Sequence, residues 1–106
     1  MDISGIYIHD GRLLRVIEDT KSATLTMECE LPANEWADDL LPRLLVFENV
    51  YNYRVCEGAV DGCPILLDIT VIGERASRTC LRLDTTAGYR ELDCTSVKIS
   101  ERDVSA

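Results

Sequence analysis

The chain has 106 residues, 46% of them hydrophobic and 28% charged, and a formal net charge of −8 at pH 7. This length fits one domain, the composition excludes a disordered chain, and no apolar run reaches the roughly 18 residues of a transmembrane helix. The negative charge disfavours nucleic acids and anionic membranes as partners, because both would repel the protein. We therefore expect a soluble domain over residues 1–100 and a frayed tail, poor in apolar side chains, over residues 101–106.

The cysteines predict a reducing environment. They are odd in number, include no C-x-x-C pair, and stand at Cys29, Cys56, Cys63, Cys80 and Cys94. The first residues show no signal-peptide pattern, so we expect a cytoplasmic protein with free thiols. A disulfide between Cys56 and Cys63, facing each other across a hairpin, is the alternative. The single histidine, His9, lies twenty residues from the nearest cysteine, so no metal site is expected.

The first thirty residues predict a three-stranded antiparallel meander. Residues 6–8 and 13–17 flank Asp10 and Gly11, a dipeptide typical of hairpin turns, so these two segments are expected to pair. Beyond a polar turn, apolar and polar side chains alternate without a break over residues 24–31. One face of that strand is expected to be buried and the other wet.

Residues 34–41 have the pattern of a short helix. Asn34 can cap its first turn, and Trp36 and Leu40 are spaced one helical turn apart. Pro42 would end the helix, because proline cannot donate the next backbone hydrogen bond. This is the one helix that the sequence predicts.

Two further regions of the chain read as strands. Residues 44–56 are rich in β-branched and aromatic side chains and predict two strands, or one strand bent by a bulge. Residues 64–72 form the most apolar run of the chain and predict a central strand with Pro64 at its first position, where the missing N–H does least harm.

The last part of the chain predicts a strand pair and completes the fold assignment. Residues 77–83 and 89–99 are expected to pair, with a bulge near Thr95 and Ser96 that reconciles two phases of apolar positions. The elements together predict an all-β fold, or a β-rich α+β fold if the helix forms. We expect about seven to eight antiparallel strands arranged as a sandwich or a partly open barrel.

The sequence contains no recognisable catalytic motif. Its glycines do not form a nucleotide-binding loop, so no cofactor is expected. His9 and Asp10 are the one adjacent pair with general-base character, but neighbouring strand residues point to opposite faces, and Asp10 is needed for the turn. A dyad of His9 with a distant cysteine stays open, because dyads form in space. We therefore expect a protein that is not an enzyme.

Acidic residues are distributed unevenly. Residues 1–53 contain ten acidic and four basic side chains, and residues 54–106 contain nine and seven. The acidic excess surrounds the single tryptophan, and carboxylates beside an aromatic anchor suit a surface for a basic partner. The candidate binding residues are Glu35, Trp36, Asp38, Asp39 and Glu48. The alternative is a solvated face that keeps the protein soluble, with Trp36 closing one end of the core.

The chain resembles small β-rich bacterial immunity proteins of polymorphic-toxin and contact-dependent inhibition systems. The similar features are the Ile8-His9-Asp10-Gly11 start, the alternating strand and the Leu-Val-Phe-Glu-Asn-Val segment at residues 45–50. The resemblance implies a domain that blocks a toxin by tight binding. We therefore expect a non-catalytic protein-binding module with a basic protein partner. The alternatives are a β-barrel that binds a small ligand and a homo-oligomeric structural protein.

Overall fold

The computed structural model describes residues 1–102 and contains eight strands. The strands pair antiparallel in two four-stranded sheets, in the orders β1-β2-β3-β8 and β4-β7-β6-β5. This confirms the all-β prediction, as two packed sheets and not a closed barrel. The strands are β1 Arg12–Asp19, β2 Thr24–Pro32, β3 Leu40–Glu48, β4 Tyr51–Glu57, β5 Leu66–Arg75, β6 Arg78–Thr85, β7 Gly88–Cys94 and β8 Ser96–Glu101.

The predicted C-terminal tail overlaps the last strand. Glu101 ends β8, opposite Arg43 of β3, and residues 103–106 of the tail lie outside the described residues. Within residues 1–102 there is no helix whose length and apolar character would let it cross a membrane. All five cysteines are free, so the alternative of a disulfide between Cys56 and Cys63 is wrong.

The core lies between the two sheets and follows the predicted alternation. In β2 every second residue is fully buried, from Leu25 through Met27 and Cys29 to Leu31. The first sheet also contributes Phe47, and the second sheet contributes leucines of β6 and β7 to the same cluster. Burying each such side chain stabilises the fold by about 1.5–3 kcal/mol, so this shared core holds the two sheets together.

A two-stranded ribbon passes from one sheet into the other. β3 pairs with β8 in the first sheet, and their chain neighbours β4 and β7 pair in the second. At the corner, Thr95 N–H donates to the Glu48 carbonyl at 3.0 Å, and the Asn49 amide donates to the Thr95 hydroxyl at 2.9 Å. The predicted bulge near Thr95 and Ser96 is therefore wrong. The change of phase arises because the chain leaves one sheet and enters the other.

The predicted hairpin of residues 6–8 with residues 13–17 is also wrong. Asp10 does occupy a turn, with φ of 65°. Its backbone N–H, however, donates to the Leu66 carbonyl, and the Leu66 N–H donates to the Gly11 carbonyl. A Cβ on Gly11 would lie 2.8 Å from the Ile8 carbonyl oxygen, so only glycine fits this close approach. The N-terminal segment is thus fastened to the start of β5, and β1 pairs with β2.

The predicted helix over residues 34–41 does not form. Pro32 and Leu40 are already paired as strand residues of β2 and β3, which leaves only residues 33–39 for the connection. That connection is too short for a two-turn helix between antiparallel neighbours. A single turn forms instead, closed by a hydrogen bond of 3.2 Å from Ala37 N–H to the Asn34 carbonyl. Pro42, expected to end the helix, lies inside β3.

β5 is an edge strand, contrary to the prediction of a central strand over residues 64–72. It pairs with β6 alone, and Leu67 and Ile72 are extra residues at two register shifts. Leu66 and Ile69 are buried, but the side chains of Leu67 and Ile72 are exposed. The apolar run therefore combines residues that face the core with the two bulge residues. Bulges on an edge strand hinder its pairing with a strand of another molecule.

Candidate functional site

A cleft of about 470 Å³ opens at the end of the sandwich where β2 passes into β3. It is lined by residues of the N-terminal segment 6–10, the β2–β3 connection and the first residues of β5. We call it the Trp36 cleft. Its volume falls within the range of about 300–1,000 Å³ that is typical of ligand-sized sites.

The N-terminal wall of the Trp36 cleft is held by hydrogen bonds to β5. The Nδ1 atom of His9 lies 2.9 Å from the Leu67 carbonyl oxygen, which can only accept, so Nδ1 carries the proton. The other ring nitrogen lies 3.6 Å from an Asp10 carboxylate oxygen. The expectation that these two side chains point apart is wrong, because they belong to a turn.

Trp36 stands at the cleft with its side chain in solvent. The residue is 85% exposed, although tryptophans usually bury most of their large surface. The backbone N–H of Trp36 donates to the side-chain oxygen of Asn34 at 2.9 Å, which fixes the turn on which Trp36 lies. The alternative in which Trp36 closes one end of the core is therefore wrong. The ring is free to pack against another molecule.

The floor of the Trp36 cleft is apolar. Ile8 and Ile69 are buried and belong to the core, and Leu40 and Leu67 continue this surface toward solvent. An apolar floor beneath an acidic rim can accept the aliphatic part of a long side chain while the rim interacts with its charged end.

Four carboxylates line the cleft without a lysine or arginine partner among the described residues, and one of them, Asp10, lies beside the ring of His9. Asp10, Glu35, Asp38 and Asp68 form no ion pair with lysine or arginine within residues 1–102, and Asp68 accepts a hydrogen bond from Ile69 N–H. Elsewhere, seven carboxylates have an arginine or lysine nitrogen at 2.7–3.9 Å: Glu28, Glu30, Glu48, Glu57, Asp84, Glu91 and Asp93. The negative charge of the cleft is therefore left without compensation by a neighbouring lysine or arginine.

The structure brings together three of the five predicted site residues. Glu35, Trp36 and Asp38 line the cleft, and Asp39 is exposed beside them in the chain without contributing to the lining. Glu48 lies at the other end of β3, about 25 Å along the strand. It is not part of this surface.

The Glu48 side chain instead contacts the neighbouring strand β8 of the same sheet. Its carboxylate lies 2.7 Å from the Lys98 ammonium and accepts a hydrogen bond from the Ser96 hydroxyl at 3.1 Å. The hydrogen bond with Lys98 lowers the pKa of Glu48 most, and the hydrogen bond with Ser96 lowers it further.

Sequence reasoning missed Asp68 and the role of Asp10 in the cleft. Asp68 is the single charged residue in the apolar run of residues 64–72, and that exception was the available signal. Asp10 occupies the turn that the sequence predicts, and its carboxylate lines the cleft because this turn is hydrogen-bonded to the start of β5. In the described part of the chain, no group of three or more His, Cys, Asp or Glu side chains could hold a metal ion, so the carboxylates surround the cleft without converging on one point.

Comparison of the chain with protein-family models, with curated proteins and with solved structures found no match in any of the three.

Proposed function

We propose that this chain is a non-catalytic protein-binding module and that the Trp36 cleft binds a basic partner protein. The observation that supports this most is a tryptophan, 85% exposed, among carboxylates that have no arginine or lysine partner. Exposed aromatic surface of this kind is costly to leave in water and is enriched at the energetic centres of protein interfaces.

Charge and apolar contact have different roles in the proposed complex. The carboxylates attract a basic partner over a distance of about 10 Å at 0.1 M salt and raise the association rate. Trp36 then loses water against the partner and slows dissociation. A tryptophan at such a position commonly contributes about 2 kcal/mol or more to binding, which corresponds to a factor of about 25 in affinity.

The side chains that line the cleft are mainly carboxylates and apolar groups. The lining contains no serine, threonine or cysteine that could act as a nucleophile. The proton on Nδ1 of His9 is held by a backbone carbonyl, and the neighbouring carboxylate is exposed. The chemistry offered to a partner is therefore negative charge and apolar surface.

The more specific proposal is an immunity protein that neutralises a basic toxin in the cytoplasm. It is supported by the resemblance of the first fifty-five residues to such proteins and by the acidic cleft. A nuclease toxin needs a basic surface for its own polyanionic substrate, and an acidic protein can occupy that surface. The five free cysteines fit a reducing compartment.

The test is to mix the chain with the purified product of each neighbouring gene and to look for a complex. The affinity of the complex is then measured at low and at high ionic strength. We expect a complex with one basic protein that Trp36→Ala weakens by about 25-fold and that salt also weakens. Asp61→Asn is the matched control, because Asp61 is exposed in a loop that does not line the cleft. Unchanged affinity of Trp36→Ala would place the interface elsewhere.

A further inference from the structure

We infer that the Trp36 cleft recognises an arginine side chain of the partner, with its guanidinium stacked on the Trp36 indole and paired with the cleft carboxylates. This inference rests on the proposed binding function and specifies its chemistry. It commits to an arginine-bearing segment as the occupant of the cleft.

The first argument comes from two other aromatic rings of the protein, Tyr51, which is exposed, and Tyr89, which is half-buried. Arg78 lies over the Tyr51 ring at 4.0 Å, and Arg82 lies over the Tyr89 ring at 3.9 Å. Trp36, whose indole is the strongest aromatic acceptor for a cation, has no such partner among residues 1–102. An arginine from another molecule would complete on Trp36 the arrangement that the chain itself makes twice.

The second argument is charge complementarity around the ring. Glu35 and Asp38 flank Trp36 in the chain, and Asp68 reaches the same cleft from β5. A guanidinium stacked on Trp36 would present its N–H groups outward from the ring edge, toward carboxylates in this cleft. Because these carboxylates have no arginine or lysine partner of their own, no internal ion pair must break first.

The third argument concerns the stem of the arginine. Three methylene groups separate a guanidinium from its backbone, and they need apolar contact if the head is to be drawn into a cleft. Leu40, Leu67 and Ile69 provide that surface. The volume of about 470 Å³ accommodates the side chain together with neighbouring residues of the partner segment.

Arginine is favoured over lysine at this site. A guanidinium is planar, stacks on an aromatic face and donates to carboxylates from its edge at the same time. An ammonium group is a strongly hydrated point charge and cannot do both with one geometry. Binding should therefore discriminate by shape as well as by charge.

The experiment is a titration followed by the fluorescence of Trp36, which is the single tryptophan of the chain. The probes are three capped tripeptides whose central residue is arginine, lysine or citrulline, the last being a neutral isostere of arginine. We expect the arginine peptide to half-saturate the emission change at a concentration about tenfold lower than citrulline, with lysine between them. Asp38→Asn should weaken arginine binding several-fold, and Asp61→Asn should leave it unchanged.

Equal half-saturation by arginine and citrulline, or tighter binding of lysine, would overturn the inference. These outcomes are distinguishable from failure of the proposed function. A partner protein that buries Trp36, while the arginine peptide shows no preference over citrulline, leaves the binding function in place and removes the arginine.

Discussion

Arg90 of β7 and Glu57 of β4 form a two-pronged ion pair. One guanidinium nitrogen lies 2.7 Å from Oε1 and another 2.8 Å from Oε2, and the side chains are only 14% and 8% exposed. Arg90 also donates to the Tyr53 hydroxyl, and the Thr85 hydroxyl donates to Glu57. The network fixes the polar end of β4 against β7.

Glu57→Gln should destabilise the protein by about 2–4 kcal/mol, because it leaves the Arg90 charge largely buried and unpaired. Glu91→Gln is the matched control on the same two strands, since Arg54, the partner of Glu91, is half exposed. That control should cost less than about 1 kcal/mol. Urea unfolding measures both, and equal losses would contradict the proposed importance of the Glu57 pair.

The same ion pair should make stability depend on pH. Hydrogen bonds from Arg90 hold the pKa of Glu57 below its ordinary value of 4.5, outweighing the burial that raises it. A carboxylate whose pKa is lowered by folding stabilises the fold above its unfolded pKa, and this contribution is lost as the pH falls through the folded pKa. The difference in unfolding free energy between wild type and Glu57→Gln should therefore shrink in acid. A difference that stays constant with pH would contradict it.

A substitution at Gly88 should also lower the stability of the fold. The φ of Gly88 is 148°, and a Cβ there would lie 2.1 Å from the carbonyl oxygen of Cys56. Gly88→Ala must move backbone that pairs β4 with β7, so we expect a loss of about 2–3 kcal/mol. Gly58→Ala is the control, because nothing lies near its Cβ position. Equal thermal stability of the two variants would contradict the close approach of these two strands.

The cysteines should fall into two classes of reactivity. Burial raises the pKa of Cys29 to about 12 and that of Cys94 to about 11, whereas the Cys56 side chain is exposed. Iodoacetamide acts on the thiolate, so native protein should be labelled at Cys56 first, with Cys29 and Cys94 protected until denaturant is added. Peptide mapping by mass spectrometry checks this. Labelling of Cys29 at the rate of Cys56 would contradict it.

The extent to which sequence predicted this structure depended on the range of the interactions involved. β2 was predictable because one of its faces is buried and the other is not. The alternation of apolar and polar residues along the strand shows this in the sequence itself. The end of β2 was not, since the Asn34 turn depends on where β3 pairs. The position of β5 at an edge also depends on the sheet order, which no local pattern contains.

The candidate site was predictable only in part for the same reason. Glu35, Trp36 and Asp38 are close in the chain, so composition indicated them together. Asp68 joins them because residues 10 and 11 fasten the N-terminal segment to β5. The grouping of Glu48 with Trp36 is wrong, because each residue of an extended strand adds about 3.3 Å. Residues that are close in the sequence can therefore lie at opposite ends of β3.

Trp36 and Phe47 should separate binding from folding. Trp36→Ala should change the unfolding free energy by less than about 0.5 kcal/mol, because the ring is exposed. Phe47→Ala should cost about 3–5 kcal/mol, because that ring is fully buried in the core. Chemical denaturation of both variants tests this. A large loss of stability in Trp36→Ala would mean that the ring supports the fold.

The most direct test of the central claim is the emission of Trp36 in complex with the basic partner. Because the chain has one tryptophan, a tryptophan-free variant of the partner makes the signal specific to this residue. The account predicts a shift of emission to shorter wavelength and protection from acrylamide quenching on complex formation. Emission and quenching that stay those of a solvent-exposed indole in the formed complex would contradict it.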